Sequence, residues 1–73
     1  MTLDEQKDAT VKAICLYVAD LLEKENIKMI DAGKIIAFLI GSVEEAKTVE
    51  DIHAVSAKAK EFWPSLPAFQ VNF

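Results

Sequence analysis

Ile35-Ile-Ala-Phe-Leu-Ile-Gly-Ser-Val43 is the most apolar stretch of the chain, and it decides how the rest is arranged. At about 100° per residue, the apolar residues of this region cover an arc of roughly 200°, about twice the stripe of an ordinary surface helix. They are Ala32, Ile35, Ile36, Phe38, Leu39, Ile40, Val43 and Ala46. A helix with so wide an apolar arc needs more than one neighbour, so this stretch is predicted to be the central helix of a bundle.

A first helix is predicted over residues 3–25. Thr2 and Glu5 have the Ser/Thr-x-x-Glu spacing of a capping box, which satisfies backbone amides at a helix start. Apolar residues then recur at intervals of three and four, as on one face of a helix. They are Val11, Ile14, Cys15, Val18, Leu21 and Leu22. Asp20 and Lys24 are one turn apart and are expected to pair on the solvated side.

The second helix is predicted over residues 31–47, with Asp31 as its cap. The connection before it contains Ile27, Met29 and Ile30, which are expected to tuck under the helix ends. A third helix is predicted over residues 49–63, because Thr48 can cap it and acids follow in the first turn. Pro64 ends that helix, since proline has no amide hydrogen and disfavours a helical residue before it.

The last ten residues, 64–73, show no helical period and contain two prolines. Phe69, Val71 and Phe73 alternate with polar residues, which is typical of an extended segment that presses one edge onto an apolar surface. Trp63 and these three residues are therefore the candidate docking tail. The predicted fold is a single all-α domain: a three-helix bundle in residues 1–63 with an extended C-terminal tail.

Small residues recur every four positions on the less apolar side of the second helix, at Gly33, Ala37 and Gly41. A glycine costs about 1 kcal/mol relative to alanine inside a helix, so two of them call for a reason. Close approach of a second copy along this seam is one reason, since twofold dimers are the commonest closed assemblies. The alternative is that Gly33 eases the first turn and Gly41 permits close packing within one chain.

Composition excludes several classes of function. Eight basic residues, all lysine, stand against twelve acidic ones, for a net charge of −4. Without arginine clusters, nucleic acid is not an expected partner. The longest apolar run is six residues, Ile35 to Ile40, far short of the ~20 needed to span a bilayer. A single cysteine and no leader-like start make the cytoplasm the expected compartment.

The chain contains no pattern that indicates catalysis or metal binding. Cys15 and His53 alone offer a thiol and an imidazole, and their spacing suggests no nucleophile and base pair. Cys15 is expected to be a small buried hydrophobic residue of the first helix. Structural zinc needs four Cys or His ligands and catalytic zinc three, so we expect no metal. Pro64-Ser65-Leu66-Pro67 has the bare spacing of a proline-rich ligand but lacks a basic neighbour, and a helix stop explains both prolines.

In its size, its acidity and two helix starts the chain resembles acyl carrier proteins. The starts are at Asp31 and at Thr48-Val49-Glu50-Asp51-Ile52. That family carries phosphopantetheine on the serine of an Asp-Ser-Leu motif, whereas this chain reads Asp31-Ala32-Gly33. Without the serine there is nothing to modify, and no cofactor is expected.

These patterns together predict a non-enzymatic protein–protein interaction or regulatory module. Its expected partner is a protein, including a second copy of itself in a homodimer. An alternative from another class is a small carrier that holds an apolar ligand between its helices, because Ile, Leu and Phe are abundant.

Overall fold

The computed structural model describes residues 2–67 and residue 69. Three helices follow one another along the chain: α1 (Leu3–Glu23), α2 (Met29–Glu45) and α3 (Val49–Phe62). Each packs against the other two. The predicted all-α, three-helix architecture is confirmed, and residues 63–67 and 69 of the described chain continue outside any helix.

Side-chain caps begin α1 and α3, as the sequence predicts. The Glu5 amide donates to the Thr2 hydroxyl over 3.2 Å, and the Thr2 amide donates to the Glu5 carboxylate over 3.2 Å. The two bonds form a capping box. At α3, the Asp51 amide donates to the Thr48 hydroxyl over 3.2 Å. Side-chain hydrogen bonds of the N-cap residues therefore fix where both helices start.

The predicted Asp31 cap of α2 is wrong. The helix begins two residues earlier, at Met29, and its N-cap Lys28 makes no side-chain capping bond. The Ala32 amide already donates to the Lys28 carbonyl over 3.0 Å. Ile27 in the connection packs against the core, so packing rather than a cap sets where the chain turns into α2. Asp31 lies within the first turn, where its charge still suits the positive end of the helix dipole.

The other end of α2 and the end of α1 also fall two residues before the predicted positions. Ala46, which follows α2, has extended dihedrals, and its amide donates to Val43 over 3.1 Å. After α1, Glu25 adopts a left-handed conformation with φ of 59°. A left-handed residue directly after the cap reverses the chain and closes the helix.

The core is a single cluster to which all three helices contribute. Its buried apolar members are Ile14 and Val18 of α1, Ala32, Ile35, Leu39 and Val43 of α2, Val55 and Ala59 of α3, and Phe69. Leu21, Ala46 and Ile52 are also buried. Ile36, Phe38 and Ile40 of α2 are partly buried and pack against it. The wide apolar arc of α2 is thus covered from both sides, as expected for the central helix.

Three apolar residues lie outside the core, contrary to expectation. Cys15 is exposed, because the buried stripe of α1 is centred on Ile14 and Val18 and Cys15 lies about 100° from Ile14 around the axis. Met29 and Ile30 are 75% and 69% exposed, because the early start of α2 places them in its first turn instead of in a connection. Only Ile27 of that connection is packed inward.

Candidate self-association surface on α2

The three small residues of the seam lie on the side of α2 that faces away from the core. Gly33 and Ala37 are exposed and Gly41 is half-buried. A Cβ added to Gly33 or Gly41 would meet no atom within 4 Å outside the local helix backbone. Both glycines have ordinary negative φ. Among residues 2–67 and 69, neither packing nor backbone conformation therefore requires glycine at these positions.

Ile30 extends this stripe toward the start of α2. It precedes Gly33 by three residues, the spacing at which helical side chains lie above one another. With 69% of its surface exposed, it is the largest apolar side chain in line with the seam. The outer face of α2 therefore carries a large apolar side chain at Ile30, near the helix start, and only small residues at Gly33, Ala37 and Gly41.

An exposed aromatic ring borders the same face from α3. Phe62 is 60% exposed, and its ring centroid lies 4.8 Å from that of Phe38 on α2. Phe38 is next to Ala37 in the helix, so Phe62 stands at the edge of the seam. The ring centroid of Trp63 also lies 5.5 Å from that of Phe38. We define the outer face of α2 as Ile30, Gly33, Ala37 and Gly41, flanked by Phe62.

The tail residues lie elsewhere. Phe69 is buried against α1, with its ring centroid 5.5 Å from that of Tyr17. Trp63 is half-buried against Phe38, so the structure does not bring the two tail aromatics together. Val71 and Phe73 lie outside the described residues. The seam and the buried part of the tail are separate features of the molecule.

Exposed charged residues lie near both ends of α2. Lys28 and Lys34 are exposed near its start, and Glu44 and Glu45 are exposed at its end. Among residues 2–67 and 69, no lysine lies within ion-pair distance of either glutamate carboxylate. The Lys7 ammonium donates to the backbone carbonyl of Glu44 over 3.0 Å. Helix α2 ends with no basic residue in its last turn.

Two open surface grooves have charged rims. One lies between α1 and α2 and is lined by Asp4, Lys7, Asp8, Val11, Ile40, Val43 and Glu44. The other lies between α2 and α3 and is lined by Ser42, Glu45, Ala46, Asp51, Ala54 and Lys58. Charges at the rim of an open groove do not suit a buried apolar ligand, which is bound in a mostly apolar cavity.

The remaining chemical candidates are dispersed. Cys15 lies exposed on α1, and His53 lies exposed on α3. Asp51 accepts a bond from the Lys47 amide over 3.0 Å. This bond, followed by those from Thr48, lowers the pKa of the Asp51 carboxyl, the opposite of what a general acid needs. Within the described chain, no three His, Cys, Asp or Glu residues are grouped to hold a metal ion.

The exposed Ile30 and Phe62 were missed as surface residues by sequence reasoning. The sequence carried one usable signal: Phe62 and Trp63 are adjacent just before Pro64, and neighbouring residues on a helix point about 100° apart. Only one of the two could face fully inward. The exposure of Ile30 carried no such signal, because it follows from the unpredicted start of α2.

Comparison with known proteins returns no match: no family model fits the chain, and neither a curated protein nor a solved structure is significantly similar to it. No helix formed by the described residues combines the length and apolarity that crossing a membrane would require.

Proposed function

We propose that this chain is a non-enzymatic protein–protein interaction module with a regulatory role, which self-associates through the outer face of α2. The observation that carries the proposal is the pair of helical glycines with open space beside them. Each costs the isolated helix about 1 kcal/mol relative to alanine, and no described residue outside the local helix occupies the space beside them. A second backbone lying along the seam would use it.

The large apolar side chains beside the seam set the strength of this contact. Fully burying an Ile or Phe side chain is worth about 1.5–3 kcal/mol. Ile30 and Phe62 are 69% and 60% exposed, so two copies burying both residues gain about 4–8 kcal/mol. Association costs about 4–15 kcal/mol in lost freedom, so close contact along the seam must supply the surplus. The expected dimer is weak and reversible, with a Kd in the micromolar range or above.

A reversible contact of this strength suits regulation by concentration. When a dimer's Kd lies near the working concentration of the chain, small changes in abundance change the fraction assembled. Small domains of this length also gain stability from assembly, because a lone copy buries only about 60% of the surface of its unfolded chain.

Sedimentation across a concentration series tests the proposal. The wild type is expected to shift from monomer to dimer between micromolar and millimolar concentration. Ala37→Leu and Gly41→Leu are expected to remain monomeric and helical, because the added side chain fills space that the second copy needs. Among the described residues, Ala37 is exposed and no atom lies within 4 Å of a Cβ added to Gly41 outside the local helix. Ala57→Leu, at an exposed alanine of α3, is the matched control and should dimerise as the wild type does.

If the wild type stays monomeric at millimolar concentration, the proposed self-association is ruled out. Native mass spectrometry of the same sample then separates the remaining possibilities. A small-molecule mass carried by the purified chain would favour the apolar carrier over the interaction module.

A further inference from the structure

The groove between α1 and α2 has an apolar floor. Three of its lining residues are aliphatic: Val43 is buried, whereas Val11 and Ile40 are half-buried and leave part of their apolar surface open. The groove has a volume of about 540 Å³, within the range of about 300–1,000 Å³ that is usual for binding clefts. Side chains of another molecule can therefore enter it.

Three carboxylates line the same groove, and no lysine of the described chain neutralises them. They belong to Asp4, Asp8 and Glu44, which are all exposed. Within the part of the chain that the structure describes, no lysine lies within ion-pair distance of any of the three. The one lysine in the lining, Lys7, donates to the Glu44 backbone carbonyl over 3.0 Å, so its ammonium is already engaged. A cation that enters the groove from outside therefore meets unpaired negative charge.

The groove between α2 and α3 differs in this respect. Two acids, Glu45 and Asp51, line it together with Lys58, whose ammonium makes no hydrogen bond or ion pair with the described residues. The Asp51 carboxylate also accepts a hydrogen bond from the Lys47 amide. Positive charge is thus available inside that groove, and the groove between α1 and α2 is the more negative of the two.

We propose that the groove between α1 and α2 binds an amphipathic helix of a partner protein, one whose apolar stripe is bordered by lysine or arginine. The partner's apolar side chains pack on Val11 and Ile40, and its cationic side chains meet Asp8 and Glu44. None of these four residues belongs to the outer face of α2. The inference therefore adds a second surface and a partner class to the proposed interaction module, and it does not depend on self-association.

The shape of the groove favours a helix as its occupant. The start of α1 lies beside the end of α2, so the two helices run antiparallel with a valley between them. Apolar surface continues along this valley, because Cys15 lies one turn beyond Val11 and is exposed, and Ile36 lies one turn before Ile40 and is half-buried. A helix laid along two others buries its own apolar stripe, as in helix-in-groove recognition and in four-helix bundles.

Peptide titration tests the proposal. The probe is a synthetic amphipathic helix of about 18 residues, since shorter helices are marginal in water, with leucines at every third and fourth position and lysines on both sides of the leucine stripe. Its control carries glutamate at every lysine position. With the full chain at low micromolar concentration, fluorescence anisotropy is expected to show binding of the lysine peptide that weakens as salt is added. The glutamate peptide is expected not to bind.

Charge variants of the chain locate the site. Asp8→Asn combined with Glu44→Gln is expected to raise the Kd of the lysine peptide about two- to thirtyfold, because two exposed ion pairs are lost. Glu23→Gln combined with Glu61→Gln is the matched control. It makes the same change in net charge at exposed positions outside the groove lining, and it leaves the Kd within about twofold.

Alkylation of Cys15 provides an independent readout of where the peptide lies. This thiol is exposed, is the only one in the chain, and lies one turn beyond Val11 along the valley. Saturating lysine peptide is expected to slow its alkylation by iodoacetamide several-fold, whereas the glutamate peptide leaves the rate unchanged.

Several outcomes would overturn the proposal. They are equal binding of the two peptides, no binding at millimolar concentration, a groove variant that binds as the wild type does, and a Cys15 that stays fully reactive under saturating peptide. Displacement of the peptide by spermidine at an equal concentration of charge would identify a site for small cations and overturn it as well. A dimer in sedimentation without peptide binding would remove this groove as a docking site while the proposed self-association stands.

Discussion

The hydroxyl of Tyr17 donates a hydrogen bond of 2.6 Å to the carbonyl oxygen of Pro67, fifty residues further along the chain. It ties the segment after α3 to the middle of α1. The neighbouring ring of Phe69 lies 5.5 Å from the Tyr17 ring and is 6% exposed. Together these contacts make residues 63–67 and 69 part of the folded unit, in which Phe69 joins the core cluster.

Removing the Tyr17 hydroxyl should lower stability without changing the fold. Tyr17→Phe keeps the ring contact with Phe69 but loses the bond to Pro67. A typical intramolecular hydrogen bond contributes about 0.5–1.5 kcal/mol. In a domain of this size the melting temperature should therefore fall by about 2–12 °C in thermal unfolding followed by circular dichroism. An unchanged melting temperature would show that the tail is tied down by other contacts.

Alkaline pH should weaken the same contact. Burial raises the pKa of the Tyr17 phenol above its ordinary value of 10.0. The folded state thus holds this proton more tightly than the unfolded state does. Its contribution is fully present below pH 10 and declines as pH rises through the raised pKa. Urea unfolding should show that stability falls less between pH 8 and pH 11 in Tyr17→Phe than in the wild type. Equal losses would show that ionisation of the Tyr17 phenol does not cause the decline.

Shortening Phe69 tests whether the tail stabilises the bundle. Phe69→Ala exposes the apolar surface under the ring, and burying a Phe side chain is worth about 1.5–3 kcal/mol. That is a large share of the ~3–5 kcal/mol expected from a core of this size. Chemical denaturation should show a lower midpoint, and truncation after Trp63 should have at least the same effect. Ser65→Ala, at an exposed tail position, is the control. A truncated chain as stable as the full one would make the tail dispensable for folding.

Acid should loosen the start of α3. The hydrogen bond from the Lys47 backbone amide is the main cause that lowers the pKa of the Asp51 carboxyl below its ordinary value of 3.8. The hydrogen bonds with Thr48 lower this pKa further. A lowered pKa means that the contribution is present above about pH 4 and is lost as pH falls through the folded-state pKa. Asp51→Asn should therefore flatten the acid limb of a stability–pH curve. Thr48→Ala, which removes the cap itself, should cost about 1 kcal/mol at neutral pH.

The sequence predicted those features that depend on neighbouring residues. Thr2 with Glu5, and Thr48 with its following acids, set the helix starts by local hydrogen bonds, which a pattern can show. Ile35, Leu39 and Val43 were predicted as core because their spacing places them on one face. Features that depend on tertiary packing were missed: α2 starts at Met29 because Ile27 is held by the core. The seam at Gly33, Ala37 and Gly41 lies at the surface of one copy, and its proposed role depends on contacts with a second chain, which no pattern within one sequence describes.

The end of α1 offers the clearest stabilising substitution. The Asn26 amide donates to the Leu21 carbonyl over 2.9 Å, and the Glu25 amide donates to the Leu22 carbonyl over 3.1 Å. These are the paired hydrogen bonds of a Schellman motif. Glu25 must adopt a φ of 59° to allow them, a conformation in which a side chain with a Cβ is strained by about 1–2 kcal/mol. Glycine carries no such strain, although it gives the unfolded chain more freedom.

Glu25→Gly is therefore expected to raise the free energy of unfolding by about 0.5–1 kcal/mol and the melting temperature by about 2–8 °C. Glu23→Gly, two residues earlier in the helix, is the matched control. It removes the same side chain at a position with helical dihedrals and should destabilise the chain by about 1 kcal/mol. Opposite signs at two positions so close together would show that the backbone conformation, and not the lost negative charge, controls the effect. A Glu25→Gly variant that unfolds at a lower temperature than the wild type would mean that the left-handed turn is not formed in solution.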